Sequence, residues 1–204
     1  MQTKSRNVNG TENLLKVSDK MRAVFILFGV FLLVLFASVF NRLVSLKNFM
    51  LEAFSGIDVQ LKRRHDLIPN IVDCVKAYAH YESKLLEDVT SLRVVADQKN
   101  TVKEKGCAEN GISEALKSIF AVAEAYPELK ANENFLGLQN NLIEIEDQIQ
   151  MARRYYNGTV RNYNTGLATF PNIIIARLFH FQPADFFEID FATQRKAPEA
   201  RFKS

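Results

Sequence analysis

Glycine and proline are scarce in this sequence, eight and five among 204 residues, so few positions interrupt a helix and long uninterrupted helices are expected. Cysteine is scarcer still. Cys74 and Cys107 can form one bridge at most, which excludes a disulfide framework, and no second pair exists to hold a zinc ion. The three histidines, His65, His80 and His180, stand in neither an HExxH nor an ExxH arrangement, so a helical zinc or di-iron site lacks its ligands. No GxSxG elbow presents a nucleophile, and no GxxxxGKS/T or GxGxxG loop is there to cradle phosphates. The net charge is only +3, with basic and acidic residues interleaved, so the footprint of a nucleic-acid binder is missing. No catalytic, metal-binding or cofactor-binding residue is assigned, and neither nucleic acid nor a small-molecule substrate is expected as a partner.

What is present is an ordinary globular composition, 48% hydrophobic and 24% charged, interrupted by one unusual run. Ala23 to Phe40 reads AVFILFGVFLLVLFASVF, eighteen residues without a charge. At about 1.5 Å per residue this is roughly 27 Å of helix, close to the ~30 Å hydrocarbon core of a bilayer. Lys20 and Arg22 flank one end and Arg42 the other, where long stems can reach the interface. A cleaved signal peptide has a shorter apolar core and a small-x-small exit, whereas this run leaves through Ser38-Val39-Phe40-Asn41. A buried core helix is the remaining alternative, but this run is apolar on every side and includes Phe25, Phe28, Phe31, Phe36 and Phe40. The run is expected to be a retained transmembrane helix that contacts the lipid bilayer through residues 23–40.

Orientation is weakly encoded. Residues 1–22 carry five basic groups against Arg42 and Lys47 in 41–60, which favours a cytoplasmic N-terminus and an extracytoplasmic body. Extending the second window to Lys62, Arg63 and Arg64 removes that bias.

Residues 1–22 form a polar tail, with Asn9-Gly10 pointing to a loose segment. After the anchor, Leu43, Leu46, Met50, Ala53, Ile57 and Leu61 recur in steps of three and four, the spacing of one buried helical stripe. Pro69 marks either a turn near 66–68 or a kink in one long helix. The stripe resumes at Ile68, Ile71, Val75, Tyr78, Leu85, Val89 and Leu92. Asp97 to Asn110, DQKNTVKEKGCAEN, is polar and is expected to be a loop holding Cys107, while Cys74 is expected as a small buried residue on a helix. A shorter helix through Ile112, Leu116, Ile119, Phe120 and Ala123 stops before Pro127. The last long helix, capped by Asn132 or Asn134, carries its stripe from Phe135 through Leu142, Ile149, Tyr156 and Tyr163 to Leu167. Pro171 opens a short helix over 172–179, and 188–204 is a polar tail. No alternation long enough for a sheet occurs, so the chain is expected to be all-α: an N-terminal transmembrane helix followed by a long antiparallel helical bundle over 41–187.

Two features of this bundle are candidates for interaction. Arg63 and Arg64 beside Pro69 could pair with Glu144, Glu146 and Asp147, which crowd one turn of the last helix; the alternative is two solvated faces contributing about 0–1 kcal/mol per pair. Phe179, Phe181, Phe186 and Phe187 lack helical spacing and either seal one end of the bundle or form a docking surface for protein or lipid.

Several ordered motifs resemble the LemA family of bacterial membrane-anchored proteins: Gly56 to Asn70 (GIDVQLKRRHDLIPN), Phe120 to Asn132 (FAVAEAYPELKAN), Glu144 to Asp147, Ala152 to Asn157 (ARRYYN), Tyr163-Asn164-Thr165 and Phe170-Pro171. One departure is Phe54, where members commonly carry Trp, an apolar exchange. The resemblance implies a single-pass protein of the bacterial inner membrane with long antiparallel helices and no established catalytic residues. Some members are associated with magnetosome membranes, a specialisation for which this sequence carries no sign. The function expected on these grounds is a non-enzymatic scaffold that docks a protein partner or forms a homo-oligomer. The alternative is an accessory subunit of a membrane protease or transport system. A hydrolase would need a site assembled in space around His65 or His80.

Overall fold

The computed structural model describes residues 5–79, 82–99 and 101–187. Six helices follow one another: α1 (Ser5–Lys76), α2 (Ser83–Asp97), α3 (Val102–Ala123), α4 (Pro127–Lys130), α5 (Glu133–Ala168) and α6 (Asn172–Leu178). There is no strand among the described residues. Two units are distinguishable, Met1–Leu46 with Thr165–Gln182 and Lys47–Asn164 with Pro183–Ser204.

α1 is 72 residues long and contains the apolar run. It is the one helix among the described residues long and apolar enough to cross a membrane, and its side chains from Val24 to Phe36 lie exposed, as lipid contact requires. One sequence expectation fails here and one open alternative is decided. The N-terminal segment is helical from Ser5 rather than a loose tail, because Gly10 is tolerated in a helix at a cost of about 1 kcal/mol and no proline stops it. Pro69 lies inside α1, so there is no turn at 66–68. The proline deprives only the residue 65 carbonyl of its donor, and Ile68 and Ile71 on either side are buried in the core.

The second unit is built on an up-down-up-down order of α1, α2, α3 and α5. Moving along α1 from Phe54 through Arg64 to Tyr78 just past its end, the partners fall from Tyr156 through Glu146 on α5 to Asn132 just before it, which fixes these helices as antiparallel. α3 runs with α1, meeting Asp58 at Lys105 and Arg64 at Glu109, and against α5, meeting Arg153 at Asn110 and Phe135 at Phe120. Ile68, Ile71, Val75, Val89, Ile112, Leu116, Ile119, Leu129, Phe135 and Leu142 form the continuous core, with Cys74 packed half-buried at its edge.

The helix limits have chemical causes. The stripe read from Ile68 to Leu92 is divided between two helices after Lys76, where Tyr78 and Ala79 bond back to the Val75 carbonyl. His80, considered above as a ligand, lies outside the described residues, as do the tips of both tails at 1–4 and 188–204. The polar stretch read as a loop over Asp97–Asn110 is helical from Val102. Thr101 caps it, accepting from the Glu104 amide at 3.2 Å while its hydroxyl donates to the Glu104 carboxylate at 2.9 Å. Asn132 caps α5 by accepting from the Phe135 amide at 3.0 Å. Along α5, Phe135, Leu142, Ile145, Ile149, Tyr156, Val160, Tyr163 and Leu167 are buried, the stripe the sequence implies.

In the first unit, α5 ends close against α1. A Cβ added at Gly166 would stand 2.9 Å from Leu46 Cδ1, whereas one at Gly158, in the second unit, meets nothing within 4 Å. Replacing Gly158 by Ala is therefore expected to stabilise the full chain by about 1 kcal/mol, an upward Tm shift of roughly 2–4 °C in a circular-dichroism melt. Gly166→Ala is expected to gain less or lose, since Leu46 must rotate away.

Candidate functional site

The centre of the second unit is a charge cluster inside the bundle. Arg64 is 0% exposed. Position 64 shares the α1 face of Leu61, Ile68 and Ile71, so the helix that buries those side chains carries the guanidinium inward with them. There it meets Glu109 of α3 in a tight ion pair, also takes the Glu109 carbonyl at 3.1 Å, and reaches Glu146 of α5 at 2.5 Å and Ser113 at 2.6 Å. Ser113 lies 3.3 Å from both Glu146 oxygens and helps hold that carboxylate.

His65 extends the cluster toward solvent. Its Nδ1 lies 3.0 Å from Asp97 and its Nε2 3.1 Å from one Glu109 oxygen and 3.3 Å from the other. A doubly protonated ring would donate to both carboxylates; a neutral ring can donate to only one. Burial alone would raise the Glu109 pKa, but the hydrogen bond from His65 and the charges of Arg64 and His65 prevail and hold it below the ordinary carboxylate range. Among the described residues no three His, Cys, Asp or Glu side chains are grouped to hold a metal ion.

Arg153 is a second buried cation. Its Nη1 donates to Asn110 at 3.1 Å, Nε and Nη2 have no hydrogen-bond partner, and its face lies 4.8 Å from the ring centre of Phe187. Burial pushes this guanidinium down to about 10, Arg64 adds to the push, and Glu146 and Glu109 oppose it. It remains charged at neutral pH.

The tail after Pro183 is fixed to α5 by two asparagines. Asn164 exchanges two hydrogen bonds with the backbone of Ala184, both 2.9 Å. Asn157 does the same with Phe187 at 2.9 and 3.1 Å. Spaced seven apart they share one helix face, and each amide satisfies a backbone donor and acceptor as a neighbouring strand would.

The residues marked in the sequence separate accordingly. Arg64 and Glu146 are brought together, whereas Arg63, one residue and about 100° around the helix from Arg64, is exposed and bonds Gln60 at 3.1 Å. Glu144 and Asp147 lie on exposed faces of α5. Phe187 is 0% exposed, so it is a plug under Arg153 and not part of a docking surface; the Asn157 clamp sets it inward. Phe186 is exposed beside it. Phe179 is exposed and Phe181 half-buried in the first unit. Glu109 and Ser113 escaped the sequence reading. The Thr101-x-x-Glu104 capping signal could have placed them on a helix.

Between α3 and α5 a groove of about 470 Å³ opens to solvent, with Leu116, Phe120, Leu142 and Ile143 on its walls and Lys117 and Asp147 at its rim.

A membrane-associated helical bundle locked by an internal ion-pair cluster is the class these features define. The chain belongs to the LemA family, whose family model matches residues 53–202. It is similar to the Protein LemA of Metamycoplasma hominis, 28% identical over 172 residues that cover 79% of this chain and 77% of that one. It is also similar to Magnetosome protein MamQ 2 of Paramagnetospirillum magneticum, 22% identical over 175 residues, 73% of this chain and 64% of the relative. Magnetosome protein MamQ of Magnetospirillum gryphiswaldense is 20% identical over 159 residues, covering 65% and 58%. The match thus spans somewhat less than two thirds of the MamQ relatives.

Removing Arg64 strands the Glu109 carboxylate in the core, and Arg64→Met is expected to lose about 3–5 kcal/mol in a chemical-denaturation measurement, with Arg64→Met/Glu109→Met recovering part of it. The lowered folded pKa of Glu109 means its contribution is fully present above its ordinary 4.5 and fades as pH falls through the folded value. Glu109→Gln is therefore expected to be less stable at neutral pH yet to show a flatter stability profile below pH 4.5 than the parent chain.

Proposed function

We propose that this protein is a non-enzymatic scaffold of the bacterial inner membrane, anchored by the apolar run of α1, whose bundle docks a protein partner or a second copy. The observation that carries this reading is the division of labour in the second unit. The buried charge of Arg64 is engaged by Glu109 and Glu146, while the α3–α5 groove offers apolar side chains to solvent, Ile143 being 54% exposed. A groove of this shape suits the apolar face of an amphipathic helix. Kinship with membrane-associated proteins supports the anchor, and the charge balance around the run favours an extracytoplasmic body.

The test is cross-linking of the full chain in intact cells, with and without Ile143→Glu. A discrete cross-linked species that disappears in the variant, with helicity unchanged, is expected. Persistence of that species would remove the groove from the interface, and a chain that stays monomeric and captures nothing would end the scaffold reading. Capture of one stoichiometric membrane protease or transporter would move the assignment to an accessory subunit. Sidedness is read with a membrane-impermeant thiol reagent. Cys107 is exposed on α3, whereas Cys74 is half-buried with its thiol pKa pushed up by burial, so labelling reports Cys107. Labelling in intact cells is expected; labelling only after permeabilisation would place the bundle in the cytoplasm.

A further inference from the structure

The first unit holds an apolar surface that the scaffold reading does not use. Phe170, Ile174 and Leu178 follow one another at intervals of four, so they line one side of α6 and the turn before it. They are 81%, 58% and 62% exposed, and Phe179 continues the patch. The opposite side, Asn172, Ile175 and Ala176, is buried. A side chain as apolar as these, left in water, forfeits on the order of 1.5–3 kcal/mol relative to burial, and three in a row form a contiguous patch of the kind that marks an interface.

What covers this patch is indicated by its neighbours. Phe179 packs on Phe40 at 4.9 Å and on Phe36 at 5.9 Å between ring centres, and Phe181 packs on Phe40 at 6.1 Å. Phe36 and Phe40 are the last aromatic residues of the apolar run itself. The exposed face of α6 is therefore continuous with the surface of α1 assigned to lipid, and it lies at the level where that run ends. Aromatic rings concentrate at this level of a bilayer, and short amphipathic helices lie in it. Arg42, two residues beyond Phe40, and Arg177, beside Leu178, are both exposed and can reach lipid phosphates.

We propose that α6 and the preceding turn form an interfacial foot: Phe170, Ile174 and Leu178 enter the boundary between head groups and acyl chains of the same bilayer that α1 crosses. The foot gives the chain a second membrane contact more than 120 residues downstream of the anchor, counted from Phe40 to Phe170. It rests on the reading of residues 23–40 as membrane-spanning, and the experiment separates the two.

The chain has no tryptophan, so a single introduced indole is an uncontaminated reporter. Ile174→Trp, Leu178→Trp and, as a mid-span control, Phe31→Trp are made in the full chain, at positions exposed enough to accept the ring without repacking. Each is reconstituted into phosphatidylcholine vesicles whose lipids carry bromine either near the head group or near the chain end. The foot requires blue-shifted emission from Ile174→Trp and Leu178→Trp, with most of it lost in vesicles brominated near the head group, while Phe31→Trp is quenched most by deep bromine. Unquenched, red-shifted emission at 174 and 178 beside a quenched Phe31→Trp would overturn the foot and leave the anchor intact. Blue-shifted emission that bromine does not quench, and that relaxes as protein is diluted in lipid, would overturn it in favour of a second copy. Failure of deep bromine to quench Phe31→Trp would overturn the membrane-spanning reading on which the foot depends.

Discussion

The ion pair between Arg64 and Glu109 is the constraint around which the second unit is organised. Neither side chain has any exposure, so neither can exchange its partner for water. Arg64 has to be satisfied by groups from two other helices, and this ties α1 to α3 through Glu109 and Ser113 and to α5 through Glu146. A hydrophobic core tolerates a helix sliding by a turn; a buried guanidinium facing two fixed carboxylates does not. Such clusters add little to net stability once desolvation is counted, and their value lies in selecting one register. The neighbours depend on that choice. His65 reaches Asp97 and Glu109 only in this register, and Arg153 lies over Phe187 with Glu146 close enough to temper its burial.

The family relationship and the geometry bear on different questions. Membership in the LemA family identifies the kind of protein, and its relatives include proteins named for the magnetosome. The geometry bears on how such a chain holds together. Gly56–Asn70, the longest motif of the resemblance, contains Arg64 and His65, and Ala152–Asn157 contains Arg153 and Asn157. Both stretches supply the inner charge cluster and the clamp on the tail. These residues, by which the resemblance is partly visible, are therefore employed in assembling the bundle.

Much of that architecture is legible in the sequence because it is written in hydrophobic spacing. The stripe from Leu43 to Leu61 and the stripe from Phe135 to Leu167 lie buried or half-buried, and Asn132 caps α5. The reading fails where a buried face is not apolar. The first turns of α3 bury Gly106 and Glu109, so apolar periodicity is silent there and a helix passes for a loop. Phe187 misleads for the converse reason: no local pattern surrounds it, and its inward placement comes from Asn157, thirty residues earlier in the chain. Arg64 and Arg63 differ only in their angle about α1, which becomes meaningful once the face carrying Leu61 and Ile68 is known to be the inner one. Pairing across helices is decided by three-dimensional register, and a one-dimensional charge pattern supplies the candidates without choosing among them.

The distances along the chain between the partners of Arg64 impose an order on synthesis. Glu109 lies 45 residues downstream and Glu146 lies 82. As the polypeptide emerges from the ribosome, α1 is complete long before either carboxylate exists, and its guanidinium has to remain hydrated in the meantime. Burying it early would strand a charge in an apolar setting, which disfavours premature collapse of the first helices onto one another. The Glu146 arm of the cluster can form only once α5 has been made, and the Asn157 clamp on Phe187 only after that. The same cluster that fixes where each helix rests can therefore be completed only when the last long helix has been made.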